Sequence, residues 1–320
     1  TTLYAREISE TMTELVESST INRNPEGSAL ILLNSLDLMS DCTGYDVFIC
    51  NKDGSVAACG EMLSGFKLSS SACEKHKELL LSKAYIQKAK KGGFSDCSNL
   101  YSISIPSSVE SVAIIDCKNL TSINLPSGLR SIKFTGCTSL ESISIPDSIY
   151  EISDYTFNGC EKLKSVTLPL NLKYLGHYVF QGCRALTDIE IPDTIETIQP
   201  SCFSGCTALE SVTIPKDAPL SKIDTCVFSN CESLKTFTVP SNVTEIGMSA
   251  FENCTTLKDI EFSKSVTTIS RDAFKNCDAL EVVKLPENLT TMETGIFEGC
   301  DALHNVIFPP TIHIIPWNTF

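Results

Sequence analysis

The amino-acid sequence predicts a right-handed solenoid of about ten coils, with a parallel β-sheet along one face, preceded by a small α/β region. Two observations carry this expectation. Cysteines recur at Cys97, Cys117, Cys137, Cys160, Cys183, Cys206, Cys231, Cys254, Cys277 and Cys300, in steps of 20, 20, 23, 23, 23, 25, 23, 23 and 23 residues. Around each stands one apolar frame, with leucine three residues later from Leu100 to Leu303, and phenylalanine three residues earlier except at Ile114. A unit of this length cannot bury its own apolar flanks, and stacking on its copies buries them.

Within one coil, two apolar residues at alternate places follow the leucine, as in Ile143 and Ile145, Val166 and Leu168, or Val283 and Leu285. That period of two is a short strand with one buried face. Proline then ends the strand in every coil but one, where Ser263 stands instead. Its fixed φ and missing N–H suit it to that place. A second apolar pair three apart, Ile149 and Ile152 or Val243 and Ile246, lines the return segment. Strands stacked at about 4.7–4.9 Å make ten coils a curved rod on the order of 45 Å long. The two 20-residue coils lack three residues before the phenylalanine position, so their return segment is expected to be tighter. The 25-residue coil adds two residues after Pro215, in KDAPLSKI, where a bulge at the end of the strand is expected.

The recurrent cysteines are expected to be buried thiols serving as small hydrophobes. Parallel Cβ vectors in a ladder do not converge as a disulfide requires. None falls in a C-x-x-C pair, so no metal is expected. Cys202 takes the place of Ala250 and Ala273 and is expected to pack, whereas Cys226 stands one place earlier and should be more exposed.

The full pattern, C-x-x-L-x-x-I-x-I/L-P-x-x-(I/L/V)-x-x-I-x-x-x-x-F-x-x-C over residues 94–320, resembles the BspA-like, Treponema-type class of leucine-rich repeats. The resemblance implies a leucine-rich-repeat solenoid. It also implies an exported or cell-surface protein of host-associated bacteria or parasitic protists, in protein binding or adhesion.

No copy of the frame precedes Phe94, and residues 1–93 form a separate region. Residues 2–18 carry Leu3, Ile8, Met12 and Leu15 at amphipathic helical spacing, and a second helix is expected over about 28–39. YDVFICNKDGSVAACGE alternates about Asp53-Gly54, a hairpin signal. Ser71 and Glu74 make a capping box that opens a helix running to Gly92-Gly93. The residues suit a cap over the end of the solenoid. The order of elements, with DVFICNKDGSVAACGE, Cys73 and His76, also resembles part of PAS-like or Cache-like extracytoplasmic sensor domains, which implies small-molecule sensing. Cys42, Cys50, Cys59 and Cys73 lie here, and in an exported protein Cys59 with Cys73 is the candidate disulfide, four reduced thiols being the alternative.

A net charge of −14 argues against a protein that tracks nucleic-acid phosphates. The longest apolar run, Ala29 to Leu33, is too short to cross a bilayer, so any anchor is expected outside this chain. His76, His177, His304 and His313 stand in no catalytic or metal motif, so neither an enzyme nor a cofactor is expected. Sequons begin at Asn119, Asn242, Asn253 and Asn288 and read as chance in loops rich in Asn and Thr.

What remains is the outward side of the sheet. Its candidate ligand-binding residues are Glu141, Ser144, Lys164, Thr167, Asp188, Glu190, Glu210, Thr213, Lys235, Thr238, Lys258, Asp259 and Glu261. These rows lack aromatic anchors, so the contact with a protein or glycan partner is expected to be polar. The alternative is a receptor-type ectodomain with a sensor region at its N-terminus and the repeats as spacer or second ligand site. Phe320 stands where another F-x-x-C frame would begin, so the native protein is expected to continue past it or to have this end covered by a partner.

Overall fold

The computed structural model describes residues 109–320 throughout, positions 94, 95, 97, 100, 101, 103, 105 and 107 before them, and two short strands further upstream. Those two, Ile49–Cys50 and Val56–Ala57, pair antiparallel with Ile49 opposite Ala57, as a hairpin about Asp53-Gly54 requires. The expected helices, the Cys59 and Cys73 pair and His76 lie outside the described residues.

From Phe94 onward the chain winds as a parallel β-solenoid, and no helix occurs among its described residues. One ladder is built from the strands after each leucine. Ser142–Ser144 pairs with Ser165–Thr167, Asp188–Glu190 with Ser211–Thr213, Thr236–Thr238 with Asp259–Glu261, and Val282–Lys284 with Asn305–Ile307, all in parallel. Between these pairs the hydrogen bonding continues, since Thr187 N–H donates to Lys164 O at 3.5 Å and Lys235 N–H to Glu210 O at 3.2 Å. The return segments make a second parallel ladder, from Glu151–Ile152 through Tyr174–Leu175 to Thr197–Ile198, and from Lys222–Ile223 to Thr291–Met292.

The 20-residue coils do have the tighter return. Ser111–Ile115 is one continuous strand, whereas a 23-residue coil has the two-residue strand Glu151–Ile152 and then turns through Asp154–Gly159. The 25-residue coil takes its two additional residues between Pro215 and Leu220, where Lys216, Asp217 and Pro219 are exposed and Ala218 N–H donates to Pro215 O at 3.0 Å. Leu220 and Ile223 keep the apolar pair of the return segment, buried as Val243 and Ile246 are.

The turn side needs two left-handed residues per 23-residue coil. The residue before each cysteine is one, with Gly205 at φ 74° and Asn230 at φ 60° sharing the same place in successive coils. Glycine has no Cβ to clash there and asparagine tolerates the region. Each asparagine also bonds along the axis, Asn253 Nδ2 donating to Asn230 Oδ1 at 2.8 Å and Asn276 Nδ2 to Asn253 Oδ1 at 2.7 Å. The second left-handed place, five before the cysteine, holds Tyr155, Tyr178, Ser201, Cys226, Ser249 and Asp272. For a residue with a Cβ this conformation costs about 1–2 kcal/mol.

The core is a set of columns. Phe134, Phe157, Phe180, Phe203, Phe228, Phe251, Phe274 and Phe297 stack ring on ring, with centroids 5.7 Å apart at Phe134–Phe157 and 5.2 Å at Phe180–Phe203. Beside them the recurrent thiols from Cys137 to Cys300 are free and buried, as expected. They do more than fill space. Cys160 Sγ–H donates to Phe134 O at 3.1 Å, Cys183 to Phe157 O at 3.2 Å, and so on to Cys300 and Phe274 O at 3.1 Å. Each of these bonds ties a coil to the one before it. Cys97 departs from the free-thiol expectation, because it is disulfide-bonded. Cys202 is buried, and Cys226 is the partly exposed thiol that its place predicted.

Candidate binding surfaces

The strand after each leucine turns its central residue inward, Ile143, Ile189, Phe237 and Ile260 being buried, and so presents its two flanking residues to solvent. Every one of the thirteen candidate residues, from Glu141 to Glu261, is exposed. Register lines them up across coils. Ser144 stands beside Thr167, Glu190 beside Thr213, and Thr238 beside Glu261.

The rows differ in what they leave for a partner. Lys164 Nζ pairs with Glu141 at 3.1 Å, and Lys235 with Glu210, so these four charges are matched along the sheet. Exposed pairs of this kind add little stability but lower the local field. Asp188 accepts the Thr187 hydroxyl at 2.8 Å. Asp188 with Glu190, and Asp259 with Glu261, are therefore the acidic positions of the face, in two coils that carry the same Asp-Ile-Glu strand. Hydroxyls of Ser211, Thr213, Thr236 and Thr238 lie between them.

Toward the N-terminal end of the face lies an open hollow of about 420 Å³, lined by Ser122, Asn124, Ser127, Ser142 and Ser144 over Ile123, Leu125, Ile143 and Pro146. Ser144 is the one candidate residue on its rim. At the other end Val282 and Ile307 are exposed apolar residues of the same face. Among the described residues no group of three or more His, Cys, Asp or Glu is placed to hold a metal ion. No described helix is long and apolar enough to cross a membrane.

Besides Tyr101, exposed in the row of Glu141 and Lys164, aromatic side chains stand on the return and turn side. Tyr150 and Tyr155 are exposed there, and Tyr155 stacks on Tyr178 with centroids 4.9 Å apart. Sequence reasoning passed over them, although four of the eight tyrosines, Tyr150, Tyr155, Tyr174 and Tyr178, fall within two adjacent coils. The sequon asparagines have structural work. Asn242 Nδ2 donates to Ala218 O at 2.9 Å and Asn288 Nδ2 to Lys264 O at 2.9 Å, each bridging to the preceding coil.

Comparison with known proteins places this architecture. The model of the BspA type leucine rich repeat region matches in six copies, over residues 69–133, 133–255 and 221–320. A leucine-rich repeat protein from Bacteroides ovatus is similar at 29% identity with a TM-score of 0.63, over 69% of this chain and 58% of its own length. The chain thus spans little more than half of that protein. The pneumococcal vaccine antigen PcpA shares 22% identity with a TM-score of 0.46, over 68% of this chain and 66% of its own. A leucine rich cell surface protein from Faecalibacterium prausnitzii shares 23% identity with a TM-score of 0.37, over 67% of this chain and 82% of its own. No curated protein matches. With the repeated thiol, leucine and phenylalanine columns in place and the family model covering most of its length, the chain belongs to the BspA-type leucine-rich repeat family.

Proposed function

We propose that this chain is an exported or cell-surface binding module of adhesion type, whose exposed sheet face engages a protein or glycan. One observation carries the reading. The outward residues of successive coils are exposed and in register, so polar groups repeat at strand spacing over a continuous surface. An extended partner meets such a face through many modest contacts, and the two Asp-Ile-Glu coils supply charges that favour a basic one. Family membership supports a binding role over a catalytic one, and the export that the repeat class implies supports the location.

Capture from host surface or matrix material tests this, using the whole chain and a variant with Asp188→Lys, Glu190→Lys and Glu261→Lys. All three side chains are exposed, so the variant should keep the wild-type circular dichroism spectrum. Its capture of the dominant partner should fall at least about tenfold, the size of a 1.4 kcal/mol loss. Equal capture by the two forms would move the site off this face.

A further inference from the structure

The place five residues before the cysteine is left-handed in every coil from Tyr155 onward, and two adjacent coils fill it with tyrosine, at φ 59° for Tyr155 and 57° for Tyr178. A bulky side chain is the least suited to that region, and surroundings that hold one there point to a use for it. The two rings lie 4.9 Å apart at 15°, close to the spacing of neighbouring strands, so they stack along the solenoid axis. Lys133 Nζ lies 5.9 Å from the Tyr155 ring, on the side of the preceding coil. The outer face of Tyr178 turns toward the following coil. There the column steps down to Ser201 and then to Cys226.

A neighbouring column ends at the same coil. Asn158 Nδ2 donates to Gln181 Oε1 at 2.8 Å, and the equivalent places in the next two coils hold Ser204 and Ser229. The Gln181 NH₂ group has no protein partner among the described residues. A ring face and an amide therefore overlook a step floored by Ser201, Ser204 and Gly205.

We propose that this step is a sugar-binding subsite in which a pyranose ring takes the place of the next ring in the tyrosine stack. One face of a pyranose is a sheet of C–H bonds that packs on the electron-rich face of an aromatic ring. Its edge carries hydroxyls that need donors and acceptors. Gln181 supplies two N–H donors, Ser201 and Ser204 supply hydroxyls, and His177, 6.2 Å from the Tyr178 ring, supplies an imidazole. An apolar peptide side chain finds no second apolar wall here. A planar aromatic ligand would cover the ring but leave the amide and hydroxyls unmatched.

Saturation-transfer NMR on the whole chain tests the subsite, with maltohexaose, cellohexaose and an N-acetyllactosamine oligomer as probes and indole as the aromatic control. At least one sugar should receive saturation, strongest at its axial C–H protons, with Kd in the millimolar range. Tyr178→Ala removes the platform, and Ser201→Tyr extends the stack into the step with the residue type that the two preceding coils already carry. Both should weaken sugar binding at least tenfold. The triple charge reversal of the sheet face should leave it unchanged, which separates this subsite from the proposed face. No transfer to any sugar, transfer to indole alone, or undiminished sugar binding by Ser201→Tyr would overturn the proposal.

Discussion

Raising the pH from 8 to 10 should destabilise the native array by about 1.4 kcal/mol for each buried thiol it contains. Burial pushes Cys160 and Cys206 up from 9.0 to about 12, and Cys300 to about 11. Burial, reinforced by the neighbouring thiols, sets Cys183, Cys231 and Cys277 well above the ordinary value. The folded state thus holds these protons more tightly than the unfolded chain does. The resulting stabilisation is fully present below pH 9 and is lost as pH climbs from 9 toward 12. At pH 10 most thiols of an unfolded chain are ionised while those of the array are not, so Cys160 and Cys206 alone account for about 3 kcal/mol. Urea denaturation followed by circular dichroism, in reductant at the two pH values, reads this directly. Cys206→Ala should flatten the dependence by one thiol's share and cost stability at pH 8, because the bond to Phe180 O at 3.1 Å is lost. Equal urea midpoints at pH 8 and 10 would mean that water reaches the thiols.

Phe203→Ala should cost about 3–5 kcal/mol, the range for emptying an aromatic place in a packed core. The Phe203 ring is fully buried, with Phe180 at 5.2 Å on one side and Phe228 at 5.5 Å on the other. Its removal interrupts the column in the middle. Stability in a linear array is a sum of coil terms and neighbour terms, so the loss falls on the interface between two halves. The single urea transition should broaden or split, and amide protection should drop first in the Cys183 and Cys206 coils. Phe320→Ala, at a ring 59% exposed, should cost far less. A loss below about 1 kcal/mol for Phe203→Ala would contradict the role given to the column.

Cysteine, leucine, phenylalanine and proline were legible because each marks one environment that the chain samples in coil after coil. Burial of Cys160 could be read from that recurrence. Its donation to Phe134 O could not, because the bond crosses to the preceding coil and depends on how two coils settle. Gly205 and Asn230 show a signal that was present and unread, since alternation of Gly with Asn before a cysteine marks a left-handed residue. Tyr155 and Tyr178 escaped because reading for a repeat discounts what happens only twice, and their significance lies in being neighbours.

The thiol, asparagine and backbone ladders share one property, which is that each bond joins a coil only to the next one. Among the described residues none of these three ladders holds a fastening that spans several coils, and this sets the mechanics of the array. Tension applied between its ends is carried through each interface in series, so the weakest interface yields first and the rest hold. Each coil that peels away releases about 80 Å of extended chain. A record of force against extension should therefore show a train of small yields instead of one rupture, and the molecule pays out length while most of its coils stay wound.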